Sequence, residues 1–216
     1  MTAGELLAVF RSEMNDDQLP YLWTDADVYR YIDDAQKMFC RNTDGIGDAS
    51  TPAVVDIAVI PGTTWVNTHP SIRLMRRATR TDTGRPVEIV NFQDMADRQW
   101  FFDGRTGPVK ALVIGEEPYR ARVFPDSSET VTVRLLVYRM PLEIIEGDQD
   151  FEIVEKHHQH LLLWTKALAY LKQDAETYDK TKSVEFENKF LAYCEKSKLE
   201  DRKEKHKTRI VRYGGL

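Results

Sequence analysis

The apolar residues change period twice along the chain, and no all-α or all-β fold accommodates that. They recur at helical spacing in the first fifty residues, alternate from Val54 onward, and return to helical spacing after Pro141. A 3.6-residue period buries one stripe of a helix, whereas a period of two buries one face of a strand. The expected class is therefore α+β: a helical bundle from N- and C-terminal helices, with a central antiparallel β-rich insertion.

The N-terminal helices carry their own start signals. Thr2 and Glu5 have the spacing of a capping box, followed by Leu6, Leu7, Phe10 and Met14 on one face. Asn15-Asp16-Asp17 ends this helix. Thr24 is placed to cap the next one, with Asp25 and Asp27 complementing the helix dipole. Its face is Val28, Tyr31, Ile32, Ala35, Met38 and Phe39. Two such helices cannot enclose a core, so they are expected to pack on the C-terminal pair as a four-helix bundle.

In the middle, Val55, Ile57 and Val59 alternate before Pro61-Gly62. Further strands are predicted at 71–79, 86–92, 109–114, 119–124 and 130–138, separated by turn signals such as Asp82-Thr83-Gly84. Short, closely spaced strands favour an antiparallel sheet over βαβ units. Beyond Pro141, residues 153–172 read as a helix with Val154, His157, Leu161, Thr165 and Leu168 on one face. A second helix is predicted at 177–204, its charged C-terminal half projecting from the core. The expected organisation is a bundle from 1–50 and 142–204, a β-rich domain at 51–141, and an extended C-terminal arm at 205–216.

Charge is unevenly distributed. Between Arg202 and Tyr213 six basic residues face one acid, Glu204, whereas the whole chain has a net charge of −5. The remainder thus carries −10, which argues against a general nucleic-acid binder and suggests that the tail has a partner of its own. No apolar run approaches the ~20 residues of a membrane span. The acidic N-terminus does not read as a signal peptide. Two cysteines, Cys40 and Cys194, are too few for a secreted disulfide scaffold.

Candidate chemistry is sparse. His157 and His160 are spaced to share a metal, but no third ligand accompanies them, so a packing role on the helix is expected. Cys40 and Cys194 lie among apolar residues, as buried structural thiols do. The acidic pairs Asp33-Asp34 and Glu116-Glu117 are adjacent and point apart. Of Trp23, Trp65, Trp100-Phe101-Phe102 and Trp164, most adjoin element ends, where large rings close a core. No phosphate-cradling or nucleophile-elbow motif occurs. The residues thus supply no catalytic, cofactor-binding or metal site.

The layout resembles the tailed-phage head-to-tail adaptor, or connector, proteins. The resemblance starts with Glu5-Leu6-Leu7-Ala8-Val9-Phe10-Arg11, continues through Leu22-Trp23-Thr24-Asp25-Ala26-Asp27-Val28, and then Tyr31-Ile32-Asp33-Asp34-Ala35-Gln36. Val137-Tyr138-Arg139-Met140-Pro141-Leu142, the His157-His158 helix, Asp174 and the Phe190 helix follow in order. Correspondence is weak at 43–53 and 80–110.

That resemblance implies a non-enzymatic virion structural protein at the neck between capsid and tail, assembled in the host cytoplasm without cofactor or membrane. Such adaptors form a ring, often twelvefold, beneath the portal. The ring extends the DNA channel, which the genome traverses during ejection without sequence-specific binding, and receives tail nozzle or tail-tube proteins. The C-terminal segment would then be the portal-docking arm, through Lys205, Lys207, Arg209, Ile210, Val211, Arg212 and Tyr213. Two other readings compete: a β-rich virion binding module recognising glycan or host surface through its aromatics, and a small hydrolase built around the histidines.

Overall fold

The computed structural model describes residues 1–97, 104–174 and 177–205. The chain opens with α1 (Ala3–Met14) and α2 (Asp25–Asn42), followed by β1 (Ile46–Asp48), α3 (Pro52–Val55), β2 (Asp56–Val59) and β3 (Trp65–Asn67). Next come β4 (Ile72–Arg80), β5 (Pro86–Asn91), α4 (Phe92–Asp97), β6 (Thr106–Gly107), β7 (Ala111–Ile114) and β8 (Arg120–Phe124). The last elements are β9 (Asp126–Ser127), β10 (Val131–Arg139), a 3₁₀ helix (Glu155–His160), α5 (Leu161–Ala169) and α6 (Lys180–Lys205). The protein is thus mixed α+β, and it divides into two units: Met1–Asp44 with Glu143–Leu216, and Gly45–Leu142.

In the helical unit both expected caps are in place. Thr2 Oγ1 accepts the Glu5 amide at 3.2 Å and Glu5 Oε2 accepts the Thr2 amide at 2.9 Å. Thr24 Oγ1 accepts the Asp27 amide at 3.2 Å. The α2 face buries Val28, Tyr31, Ile32, Ala35, Phe39 and Cys40. Helix α5 touches both α2 and α6, and α1 touches α2 and α5. Trp164 meets Phe190 with ring centroids 5.3 Å apart, so α6 is held to α5 through its large rings.

Two expectations for this unit are corrected. Residues 155–160 form a 3₁₀ turn, and the α-helix begins only at Leu161. Residues three apart eclipse in a 3₁₀ helix, which brings His157 and His160 to one side chain, Tyr193. Helix α6 also stays on its core beyond its midpoint: Cys194 and Ser197 are buried, and Lys156 pairs with Asp201 at 3.6 Å. Small side chains there permit the close approach that the charge pattern conceals.

In the β unit, strands run β1-β10-β4-β5-β7-β8-β3 in one curled sheet, with β2 also on β10. Strand β10 turns Val131, Val133, Leu135 and Val137 inward, where they join Ile57, Val59, Leu112 and Val123 in one core. The sheet is not wholly antiparallel, as it was expected to be. Strand β5 pairs with β7 in parallel, Glu88 opposite Ala111 through Asn91 opposite Ile114, with α4 in the connection. The stretch between them is long enough for a crossover, so one βαβ unit interrupts the hairpins. The short β6–β9 pair is parallel too. Val54 and Val55 belong to α3, because Thr51 and Pro52 open a helical turn there, and the strand starts at Asp56.

Strand β4 carries two β-bulges. Leu136 opposes Arg77 while Val137 opposes Met75, and Tyr138 opposes Leu74 while Arg139 opposes Ile72. Arg76 and Arg73 are the extra residues. A bulge re-aims the side chains around it.

Candidate functional site

The N-terminal motifs of the sequence converge on polar contacts inside the helical unit. Arg11 is buried and organises the α1–α2 loop. Its Nη1 donates to Asp16 Oδ2 at 2.7 Å, and its Nη2 donates to the Trp23 carbonyl at 3.1 Å and also to Asp25. The guanidinium lies 3.5 Å from the Tyr21 ring centroid. Asp16 in turn accepts the Leu22 amide at 2.7 Å. Trp23 Nε1 donates to the Ala169 carbonyl at 3.0 Å, and Lys172 donates to the Leu22 carbonyl at 2.8 Å. Leu22-Trp23-Thr24-Asp25 therefore acts as a clasp between this loop and the end of α5.

The Tyr31–Gln36 stretch has an equally structural use. Asp33 Oδ1 accepts the Ile145 amide at 3.3 Å and Gln36 Oε1 accepts the Glu152 amide at 3.2 Å. Asp34 Oδ2 accepts Trp164 Nε1 at 2.7 Å. The returning segment 143–155 is thereby fastened to α2, with Ile145, Phe151 and Ile153 buried. The Asp33-Asp34 pair points two ways, as its adjacency dictates, and each carboxylate holds a different backbone or ring donor.

The histidines are occupied by packing. His157 Nδ1 lies 2.8 Å from Tyr193 Oη, and His160 stacks on the Tyr193 ring at 3.6 Å. His158 Nε2 lies 2.8 Å from the Ile153 carbonyl. Burial lowers the His157 pKa to about 4, with the nearby Lys156 charge acting in the same direction. Burial pushes the Cys194 thiol up to about 12, the opposite of an activated nucleophile. Among the described residues no group of three or more His, Cys, Asp or Glu side chains could hold a metal ion.

The β unit is stiffened by buried arginine pairs. Arg139 Nε donates to Asp48 Oδ2 at 2.7 Å. Burial would raise the Asp48 carboxyl, but Arg139 and the Ser50 and Thr51 amides outweigh it and hold the group well below the usual carboxylate range. Arg80 grips Asp82 through two bonds, of 3.1 and 2.7 Å, and Glu129 through a third of 2.5 Å. Two turns are thereby pinned to β4. Sequence reasoning missed the Arg139–Asp48 and Arg80–Glu129 pairs, whose members lie 91 and 49 positions apart.

Of the proposed docking residues, Lys205 ends α6. Lys207, Arg209, Ile210, Val211, Arg212 and Tyr213 lie outside the described residues. Trp100 does too.

A family model described as the SU10 adaptor protein matches residues 1–212. The chain belongs to the SU10 adaptor protein family. No curated protein matches it. Adaptor membership makes it a bacteriophage structural protein. It implies oligomerisation, contact with portal and tail proteins, and a place at the virion neck. Within the helical unit Arg11, Trp23, Asp33 and Asp34 spend their polar groups on internal contacts. Among the described residues no helix is long and apolar enough to cross a membrane.

Proposed function

We propose that this adaptor forms a ring of about twelve copies under the portal, extends the DNA channel and presents the platform to which tail nozzle or tail-tube proteins attach. The copies would assemble in the host cytoplasm. Helices α1, α2, α5 and α6 form the bundle that makes the ring wall, and residues 205–216 form the arm that docks on the portal.

One observation carries this reading beyond family membership: the charge division of the chain. Residues 45–142 hold twelve Lys and Arg against eleven Asp and Glu, so the acidic character belongs to the helical segments, and the tail after Glu200 is basic. An acidic wall lets DNA slide, because there is no attraction to phosphate to hold it. A basic, β-prone tail suits an acidic groove or sheet edge on another protein. In extended form Arg209, Val211 and Tyr213 share one face, with Ile210 and Arg212 on the other.

The test is a chain truncated after Lys203, incubated with purified portal rings. The expected result is an unchanged melting temperature with loss of portal co-sedimentation. Wild-type binding by the truncated chain would move the attachment to the helices.

A further inference from the structure

The outer face of the β4–β10 pair is partly exposed. It bears Leu74, and beside it Arg77, Arg134 and Leu136 line a shallow groove of about 390 Å³ that reaches Thr79 and Ala49. Leu74 and Leu136 are 44% and 43% exposed. Arg77 has no ion-pair partner among the described residues, and bulged Arg76 lies over the Tyr138 ring at 5.7 Å. Placing bulged Arg76 and its neighbour Arg77 beside exposed leucines serves no fold requirement, since the inward residues already complete the core.

The same chain carries a surface of matching chemistry. Segment 143–155 holds Glu143, Glu146, Asp148, Asp150, Glu152 and Glu155 and no Lys or Arg. Ile144 and Val154 on it are 66% and 64% exposed. Glu143, Glu146, Asp148 and Asp150 have no ion-pair partner among the described residues. The bonds from Asp33 and Gln36 already fix its backbone, so little ordering entropy opposes docking.

We infer that the β4–β10 face of one copy receives the 143–155 segment of a second copy, with Arg76 and Arg77 meeting its carboxylates and the exposed aliphatics packing together. The two patches differ, so the contact is head-to-tail, the kind that closes rings. A nucleic-acid occupant is the weaker match: exposed leucines offer nothing to phosphate, and Arg134 is already paired with Asp56 at 2.7 Å. The inference rests on the ring reading only in taking the partner to be a second copy.

The test uses the full chain and two charge-reversed variants, one with Arg76→Glu and Arg77→Glu, the other with Glu146→Lys and Asp148→Lys. Sedimentation velocity over a concentration series reads self-association without any portal. The wild type should self-associate, more weakly in high salt, and each variant alone should associate about tenfold more weakly or worse. An equal mixture should recover wild-type association, because alternating copies pair either two native or two reversed surfaces. A misfolded variant could not do so. Unchanged association of either variant, no recovery on mixing, or a wild type monomeric at every concentration overturns the inference. So does loss of duplex-DNA retention by the arginine variant with self-association intact. Portal co-sedimentation is read separately, so failure to bind portal counts against the docking arm and not against this contact.

Discussion

Trp23 Nε1 donates to the main-chain oxygen of Ala169, closing a 3.0 Å bond between residues 146 positions apart. The indole is buried and meets the Phe10 ring edge-on at 5.7 Å, so one side chain joins α1, the loop after it and the end of α5.

Trp23→Phe should keep most of the packing and lose the bond, costing about 1 kcal/mol. Trp23→Ala should cost about 3–5 kcal/mol through the cavity left behind. Urea denaturation of both variants checks the two figures, and equal losses would show that the hydrogen bond contributes nothing.

Arg11 should tolerate no conservative change. Arg11→Met strands the Asp16 carboxylate, itself almost wholly buried, without its counter-charge, for a loss of about 3–5 kcal/mol. Arg11→Lys should recover only part of this, since an ammonium cannot reach Asp16, Asp25 and the Trp23 carbonyl in one plane. The order of melting temperatures, wild type above Lys above Met, is the readout.

Acid should weaken the helical unit through His157. The folded pKa of His157 is about 4, below the ordinary 6.5, so the fold binds fewer protons than the unfolded chain between those values. Its contribution is complete above pH 6.5 and disappears as pH falls towards 4. The groups facing it are Tyr193, Lys156, Asp201, His160 and His158, and solvent screening keeps the total below the roughly 3 kcal/mol of the full shift. His157→Gln should flatten the stability profile in that window; a slope as steep as the wild type's would assign it elsewhere.

Both thiols should be inert while the chain is folded. Cys40 and Cys194 are buried, and Cys194 is held neutral at physiological pH. A chromogenic disulfide reagent should count no thiols in native protein and two in denaturant. Rapid native labelling would mean that α6 opens readily from α2 and α5.

The helical parts were largely legible from sequence because capping and stripe formation are local: Thr2, Thr24 and the Val28–Phe39 face depend on neighbours within a turn or two. The partners of Trp23, Asp33 and Gln36 were not legible, because nothing near them specifies a donor or acceptor more than 110 positions away. The parallel β5–β7 pairing escaped for a similar reason, since strand direction depends on how the connection crosses. One signal was visible in principle. Arg76-Arg77 puts two long polar residues side by side in a strand where alternation allows one outward, which is the mark of a bulge.

The β unit is inserted into the helical unit, and this has a consequence during synthesis. Gly45–Leu142 is continuous and can close as it leaves the ribosome, but Gln36 waits for Glu152, 116 positions later. At roughly 5–20 residues per second that interval is on the order of ten seconds. Throughout it the Val28–Phe39 stripe has neither α5 nor α6 to cover it. Translation speed and chaperone access over that interval, as much as the stability of the finished fold, should set the yield of assembly-competent chains.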